Sequence, residues 1–276
     1  MILVTGARGT VGRRVVRALL DAGVPAGEVR ASGRDPAALD VPDGVARVAV
    51  DLADPATLRA VLDGVDQVFL YALGDTATVA ETAVAAGVEH VVLLSSASTL
   101  DDDPEDLIGA MHRRAEDPLR AADLDATLLR PGAFAANTLD WAGGVRAGRV
   151  ELPYPDSHVT PIHEDDIADV AVAALTGGDV RGSAPSLSGP ASLSFRDQVA
   201  VIAAETGREV EVAAQSPEAF RVQLGPYAPP AVADSLLHLW AASDGVPQPV
   251  DDVEPLTGKP GRTFAQWVHE HRDAFV

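Results

Sequence analysis

The 276 residues include no cysteine, one lysine (Lys259), two methionines and three tyrosines (Tyr71, Tyr154 and Tyr227). Without cysteine, disulfides, thiolate zinc sites and a cysteine nucleophile are excluded. Basic residues are scarce: 21 Lys and Arg stand against 41 Asp and Glu, a net charge of −20. Nucleic-acid binding needs a dense cationic surface, so this balance argues against it and against docking on an anionic membrane. No apolar run reaches the length of a membrane span, and the first strand begins at Ile2 with no signal peptide before it. A cytoplasmic protein is the expectation.

What is present suits one α/β domain with a sizeable core and a smaller appendage, with 47% apolar residues. The chain opens on a buried strand (Ile2 to Thr5), a turn punctuated by Gly6, Gly9 and Gly12, and an amphipathic helix. Gly6 allows a sharp turn, Gly9 a close approach of backbone N–H groups to a pyrophosphate, and Gly12 close packing of helix on strand. The helix start then offers unpaired N–H groups and partial positive charge to phosphates. A glycine pattern alone is weak, but at a strand-to-helix switch it points to a dinucleotide.

Strands then alternate with helices, the pattern of a doubly wound parallel sheet with right-handed crossovers. Residues 1–150 are expected to form this dinucleotide-binding domain, with 159–176 returning to the sheet. Residues 177–276, rich in proline and short segments, are expected to form a small α-rich substrate or lid region.

In such a sheet ligands lie outside the carboxyl ends of the strands. Gly6, Arg8, Gly9, Thr10, Val11 and Gly12 are therefore expected at the phosphates, Asp51 and Leu52 beside the adenine, and Tyr71, Ala72 and Leu73 along a ribose. The second strand ends in Ser32-Gly33-Arg34 where an acid would grip an adenosine 2′-hydroxyl. A guanidinium favours a 2′-phosphate through charge-assisted, bidentate hydrogen bonds, and Arg8 is placed to face the same group. NADP(H) is thus expected ahead of NAD(H), which Asp35 keeps open. Asp101-Asp102-Asp103 reads as a solvated loop and His163 with Glu164 to Asp166 as a helix N-terminus, so no metal site is expected.

The ordered set Val4 to Gly12, Gly33-Arg34-Asp35-Pro36, Asp51-Leu52, Ser95-Ser96, His112 to Glu116, Leu129 to Phe134 with Asn137, Asp165 to Ala168, Ser188-Gly189-Pro190 and Phe264 to Val268 resembles the NmrA-like, atypical branch of the short-chain dehydrogenase/reductase superfamily. The resemblance spans nearly the whole chain. It implies a Rossmann domain with a roof over the nicotinamide, and either reduction of quinones, carbonyl and unsaturated compounds or redox-sensing partnership with a regulator. It also implies cofactor contacts at Ser95, His112, Pro131 and Phe134, a catalytic position at Ser96, and a substrate pocket with Phe134, Asn137, Trp141 and Tyr154.

The superfamily's Tyr-x-x-x-Lys pair is missing: Ile108 stands at the tyrosine position and His112 at the lysine position. Isoleucine cannot protonate a developing alkoxide, and general acid catalysis is typically worth ~10²–10⁴-fold. His112 becomes the candidate for ribose binding or proton delivery, on a helix that Pro118 is expected to kink or split. The expected activity is NADP(H)-dependent hydride transfer to a small organic acceptor such as a quinone, conjugated carbonyl or imine. The alternative is a non-catalytic NADP(H) sensor acting through a protein partner; a homodimer also stays open.

Overall fold

Strand β1 (Ile2–Val4) divides its side chains between two cores: Ile2 and Val4 join one buried cluster, Leu3 the other. Side chains alternate with a period of two, so a strand covered on both faces must read as a continuous apolar run. Phe69 against Val68 and Leu70, and Val92 against Val91 and Leu93, repeat the division.

The computed structural model describes all residues but Leu73. After β1 come α1 (Gly12–Asp21), β2 (Val29–Gly33), β3 (Ala46–Ala49), α2 (Pro55–Leu62), β4 (Gln67–Leu70), α3 (Ala77–Ala86), β5 (His90–Leu94), α4 (Leu107–Ala121) and β6 (Asp125–Pro131). Then follow α5 (Ala142–Ala147), β7 (Arg149–Leu152), β8 (His158–Val159), α6 (Glu164–Leu175), β9 (Ser186–Leu187), β10 (Leu193–Ser194), α7 (Phe195–Thr206) and β11 (Glu211–Ala214). Helices α8 (Pro217–Leu224), α9 (Pro230–Ala242), α10 (Glu254–Thr257) and α11 (Phe264–Glu270) complete the order.

Seven strands form one parallel sheet in the order β3-β2-β1-β4-β5-β6-β9. The order reverses between β1 and β4, which opens a crevice at their carboxyl ends. This is the expected doubly wound Rossmann sheet. Helices α1 and α6 cover one face through Val15, Leu19, Ile167 and Ala171. Helices α2, α3 and α4 cover the other through Leu58, Leu62, Ala83 and Leu119. A third core, built on Val145, Phe195, Ile202, Trp267 and Phe275, belongs to the segments after β6.

Two local expectations are corrected. Val159 does not enter the large sheet: it pairs in β8 with β10, while Ile162 makes a parallel bridge to Phe134. The sheet's last strand is instead Ser186–Leu187, paired with Arg130 and Pro131. Two residues carry too little periodicity to show as a strand. Helix α4 runs unbroken through Pro118, because the proline lies in its last turn and the carbonyl it strands, that of exposed Arg114, can face water.

Candidate active site

Gly6 leaves β1 with φ +62, a conformation that a side chain disfavours. Tyr71 packs over it, its Cβ 3.1 Å from where a Cβ on Gly6 would sit. The Gly9 N–H donates to the Gly6 carbonyl at 2.8 Å, so it closes the turn and is not itself free for a phosphate. A Cβ on Gly12 would overlap that same carbonyl. Glycine is thus required there by the turn, not, as expected, by packing on the strand. Val11 is buried and Thr10 exposed. No side chain caps α1; the Arg13 and Arg14 N–H groups donate to the Gly9 and Val11 carbonyls at 3.2 and 2.9 Å, so the Gly12 N–H and the positive end of the dipole are what the helix start offers an anion.

Beside this turn lies a cleft of about 460 Å³ at the carboxyl ends of β1, β2 and β3. Gly6, Arg8, Arg34, Asp51 and Leu52, all expected from the sequence, line it together with Tyr71. Thr5, Leu39 and Val50 also line it and were missed, although Thr5 and Val50 directly follow strands; Leu39 arrives from the short helical turn after β2. The Tyr71 N–H is held by Thr5 Oγ1 at 2.8 Å, which fixes the ring over the glycine turn. Arg8 and Arg34 are exposed, and neither is ion-paired among the described residues. Asp35 is otherwise engaged: its carboxylate caps a short helical turn by accepting from the Ala37 N–H at 3.1 Å. Ala72 is half-buried after β4, and Leu73 lies outside the described residues. Two exposed arginines in a lining that also holds Asp35 and Asp51, a glycine turn without room for side chains and an uncapped helix fit a phosphorylated dinucleotide.

Further along the crevice the candidates separate. Ser95 is buried, and its hydroxyl donates to Glu116 Oε1 at 2.6 Å. Its proton is thus engaged inside the fold, and only its oxygen lone pairs and backbone stay available to a cofactor. Ser96 is half-buried, and its Oγ accepts from the Ser98 N–H at 3.2 Å, which leaves its own proton free. His112 is half-buried one helical turn after Ile108, with Nδ1 2.8 Å from the Ile108 carbonyl. A carbonyl only accepts, so Nδ1 carries the proton. The neutral ring then offers a lone pair at Nε2, and only the imidazolium can donate there.

The residues expected around a substrate belong to different parts of the packing. Pro131 is buried in the sheet opposite Leu187. Phe134 packs on the core beneath α1 and α6, whereas Trp141 packs on the third core, edge-on to Phe195 at 5.6 Å between ring centroids. A parallel bridge to Ile162 ties the Phe134 backbone to the chain before α6. Asn137 is exposed. Tyr154 is half-buried with φ +49, the one non-glycine residue at positive φ among the described residues, a strain that surrounding structure must hold in place.

Buried acids carry more of the architecture than their sequence context suggested. Glu116 accepts from Arg130 at two atoms, 2.9 and 2.8 Å, besides Ser95. Burial pushes its pKa up, but the hydrogen bonds from Arg130 and Ser95 and the charges of Arg130 and Arg120 outweigh this and hold it below the usual carboxylate value. Glu164, wholly buried, accepts from the Ala136 N–H at 2.8 Å and from Trp267 Nε1 at 2.9 Å, joining the turn after Phe134 to α11. Arg14 of α1 reaches Asp165 at 2.8 Å. His163 caps α6 by accepting from the Asp165 N–H at Nδ1, and its Nε2 faces Glu270 at 3.2 Å. Although His163, Asp165 and Glu270 are close enough to suggest a metal site, both ring nitrogens already have partners.

No helix among the described residues is long and apolar enough to cross a membrane. Residues 6–177 match the NAD(P)H-binding family model. The chain is 40% identical, over all of its length and 99% of the relative's, to a (4-alkanoyl-5-oxo-2,5-dihydrofuran-3-yl)methyl phosphate reductase of Streptomyces griseus. It is 34% identical, again over all of its length and 99% of the relative's, to an NAD(P)H azoreductase of Xenophilus azovorans. Among solved structures it is similar to the NADPH-dependent quinone oxidoreductase of Escherichia coli, with a TM-score of 0.83, 26% identity and coverage of 98% of this chain and 99% of that one. The chain belongs to the NAD(P)H-binding family.

Proposed function

We propose that the chain is an NADPH-dependent reductase that passes hydride to a small organic acceptor. The observation that carries this reading is the cleft at the ends of β1, β2 and β3, where Arg8 and Arg34 stand beside the glycine turn, neither ion-paired among the described residues although Asp35 and Asp51 share the lining. Two guanidiniums there favour a 2′-phosphate and so NADPH over NADH. The relatives named as reductases of an azo group, a quinone and an unsaturated furanone support acceptors of this class.

When bound, the nicotinamide supplies the hydride; the chain's own residues hold, orient and protonate. The Gly12 N–H and the positive end of the α1 dipole take the pyrophosphate, and the Tyr71 ring beside the glycine turn limits how deep it sits. His112, with Nδ1 anchored on the Ile108 carbonyl, turns Nε2 outward. In its neutral form Nε2 accepts from a ribose hydroxyl; as imidazolium it donates to the reduced acceptor directly or through water. Ser96 keeps a hydroxyl proton for the same purpose. Since Ile108 offers no acid, acceptors whose reduced form bears a delocalised anion, such as quinones and conjugated carbonyls, are favoured over isolated ketones, as is an imine that is already protonated and becomes a neutral amine. Residues 177–276 serve as the roof over the reacting end, with Asn137 and Tyr154 at its edge.

The test is a titration calorimetry series with NADPH and NADH on the wild type and Arg34→Ala, followed by NADPH oxidation with a quinone, an enone and an imine. Tighter NADPH binding that Arg34→Ala erodes, with turnover of at least one acceptor class, supports the reading. Equal affinity for the two dinucleotides overturns the 2′-phosphate assignment.

A further inference from the structure

Helix α9 grips the segment that begins α4 at several points. The buried Ser235 hydroxyl donates to Asp106 Oδ1 at 2.7 Å, and its Oγ lies 3.4 Å from the Ile108 N–H, which donates to it. Asp106 is the N-cap of α4, accepting from the Gly109 N–H at 3.0 Å. One turn further along α9, His238 lies with Nε2 2.7 Å from Asp103 and Nδ1 3.2 Å from Glu105. Asp103, expected in a solvated loop, is in fact half-buried in this contact. The backbone of Ile108 is thus tied on both sides of its Cα: its N–H donates to Ser235 and its carbonyl accepts from the His112 ring.

We propose that Ser235 and His238 are positioning residues for His112, clasping the first turn of α4 so that its imidazole is presented at a fixed height over the crevice. The proposal rests on His112 serving the reaction, as read above. A serine and a histidine one turn apart on a roof helix then couple closure of the roof to placement of the proton-handling group.

The clasp is charge-dependent. His238 faces Asp103, Glu105 and Asp106 from the α4 side; Arg113 acts on Asp103, and Asp234 on α9 is engaged by Arg221 of α8 at 2.7 Å. The hydrogen bond to Asp103, with the acid charges, raises the His238 pKa above its ordinary value against a smaller opposing effect of burial. A raised histidine pKa means the contact is fully present below the ordinary value and lost as pH rises through the raised one.

Hydrogen exchange of the Ile108 to His112 amides and kcat with a quinone, measured on wild type, His238→Ala and Ser235→Ala at about pH 6 and about pH 9, test this. His238 is part-exposed, so its variant is expected to fold. At the lower pH, His238→Ala should lose several-fold both amide protection and kcat while NADPH affinity changes less; at the higher pH it should match wild type. Ser235→Ala should show the deficit at both. Equal protection in wild type and His238→Ala at the lower pH, or the same deficit at both, overturns the clasp. If His112→Ala leaves kcat unchanged while His238→Ala still loses protection, the reading of His112 fails and the clasp stands.

Discussion

The Ser95 hydroxyl donates to Glu116 Oε1, 2.6 Å away inside the fold, so its proton is already engaged. Glu116 is fully buried and holds Arg130 at two atoms. Breaking a buried pair from one side typically costs ~3–5 kcal/mol, since the remaining charge is left without a partner. Glu116→Ala is therefore expected to destabilise strongly, and Ser95→Ala by only ~1 kcal/mol with NADPH affinity retained. Urea unfolding and calorimetry on both variants check this; loss of cofactor affinity in Ser95→Ala would contradict it.

Acid should weaken the fold in two stages. His90 is buried between Gln67 and Thr127, and desolvation, with the Arg181 charge, lowers its pKa to about 4. A depressed histidine pKa gives stability that is present above the ordinary value of 6.5 and lost as pH falls toward about 4. Glu116, also depressed, loses its contribution only below its ordinary 4.5. Unfolding free energy measured across this range should fall first with His90, and His90→Gln should flatten the upper stage alone.

At the glycine turn, Gly12→Ala forces a methyl group onto the Gly6 carbonyl. Overpacking of this kind costs ~1–3 kcal/mol, and relief by shifting the turn would displace the phosphate site. Weaker NADPH binding with a lowered Tm is expected, read by calorimetry and thermal unfolding. An unchanged Kd would mean that the phosphates lie elsewhere.

Removing one guanidinium from the rim separates the two dinucleotides. A hydrogen bond to a charged group is worth ~1.5–3 kcal/mol, so Arg34→Ala or Arg8→Ala should weaken NADPH by ~10–100-fold and leave NADH almost unchanged. A parallel loss for both cofactors would assign the arginines to the pyrophosphate.

Replacing His112 by Ala should lower kcat, as expected of a group that hands a proton to the reduced acceptor. A loss confined to NADPH affinity would leave it a ribose contact.

The sheet and its cofactor end were legible because each rests on local signals: continuous apolar runs for strands buried on two faces, and glycines at a strand-to-helix switch. Arg8, Arg34, Asp51 and Leu52 follow strand ends directly, and the sheet brings them to one cleft. The other end was less legible because its residues depend on long-range partners. Nothing near Ser95 in the sequence shows that Glu116 and Arg130 will take its hydroxyl. Glu164, read as an acid suited to a helix start, is claimed by Trp267 103 residues later. Phe134 and Trp141, seven residues apart in helical and extended turns, go to different cores because each answers to a different neighbour, Ile162 or Phe195.

The most direct test follows the hydride itself: C4-deuterated NADPH is mixed with the wild-type protein and a quinone, an enone or an imine, and the product is weighed by mass spectrometry. Deuterium in a product bound to carbon, or NADPH oxidation matched to hydroquinone formed, is the predicted result. Tight NADPH binding with no oxidation and no label in any of the three acceptors would contradict it.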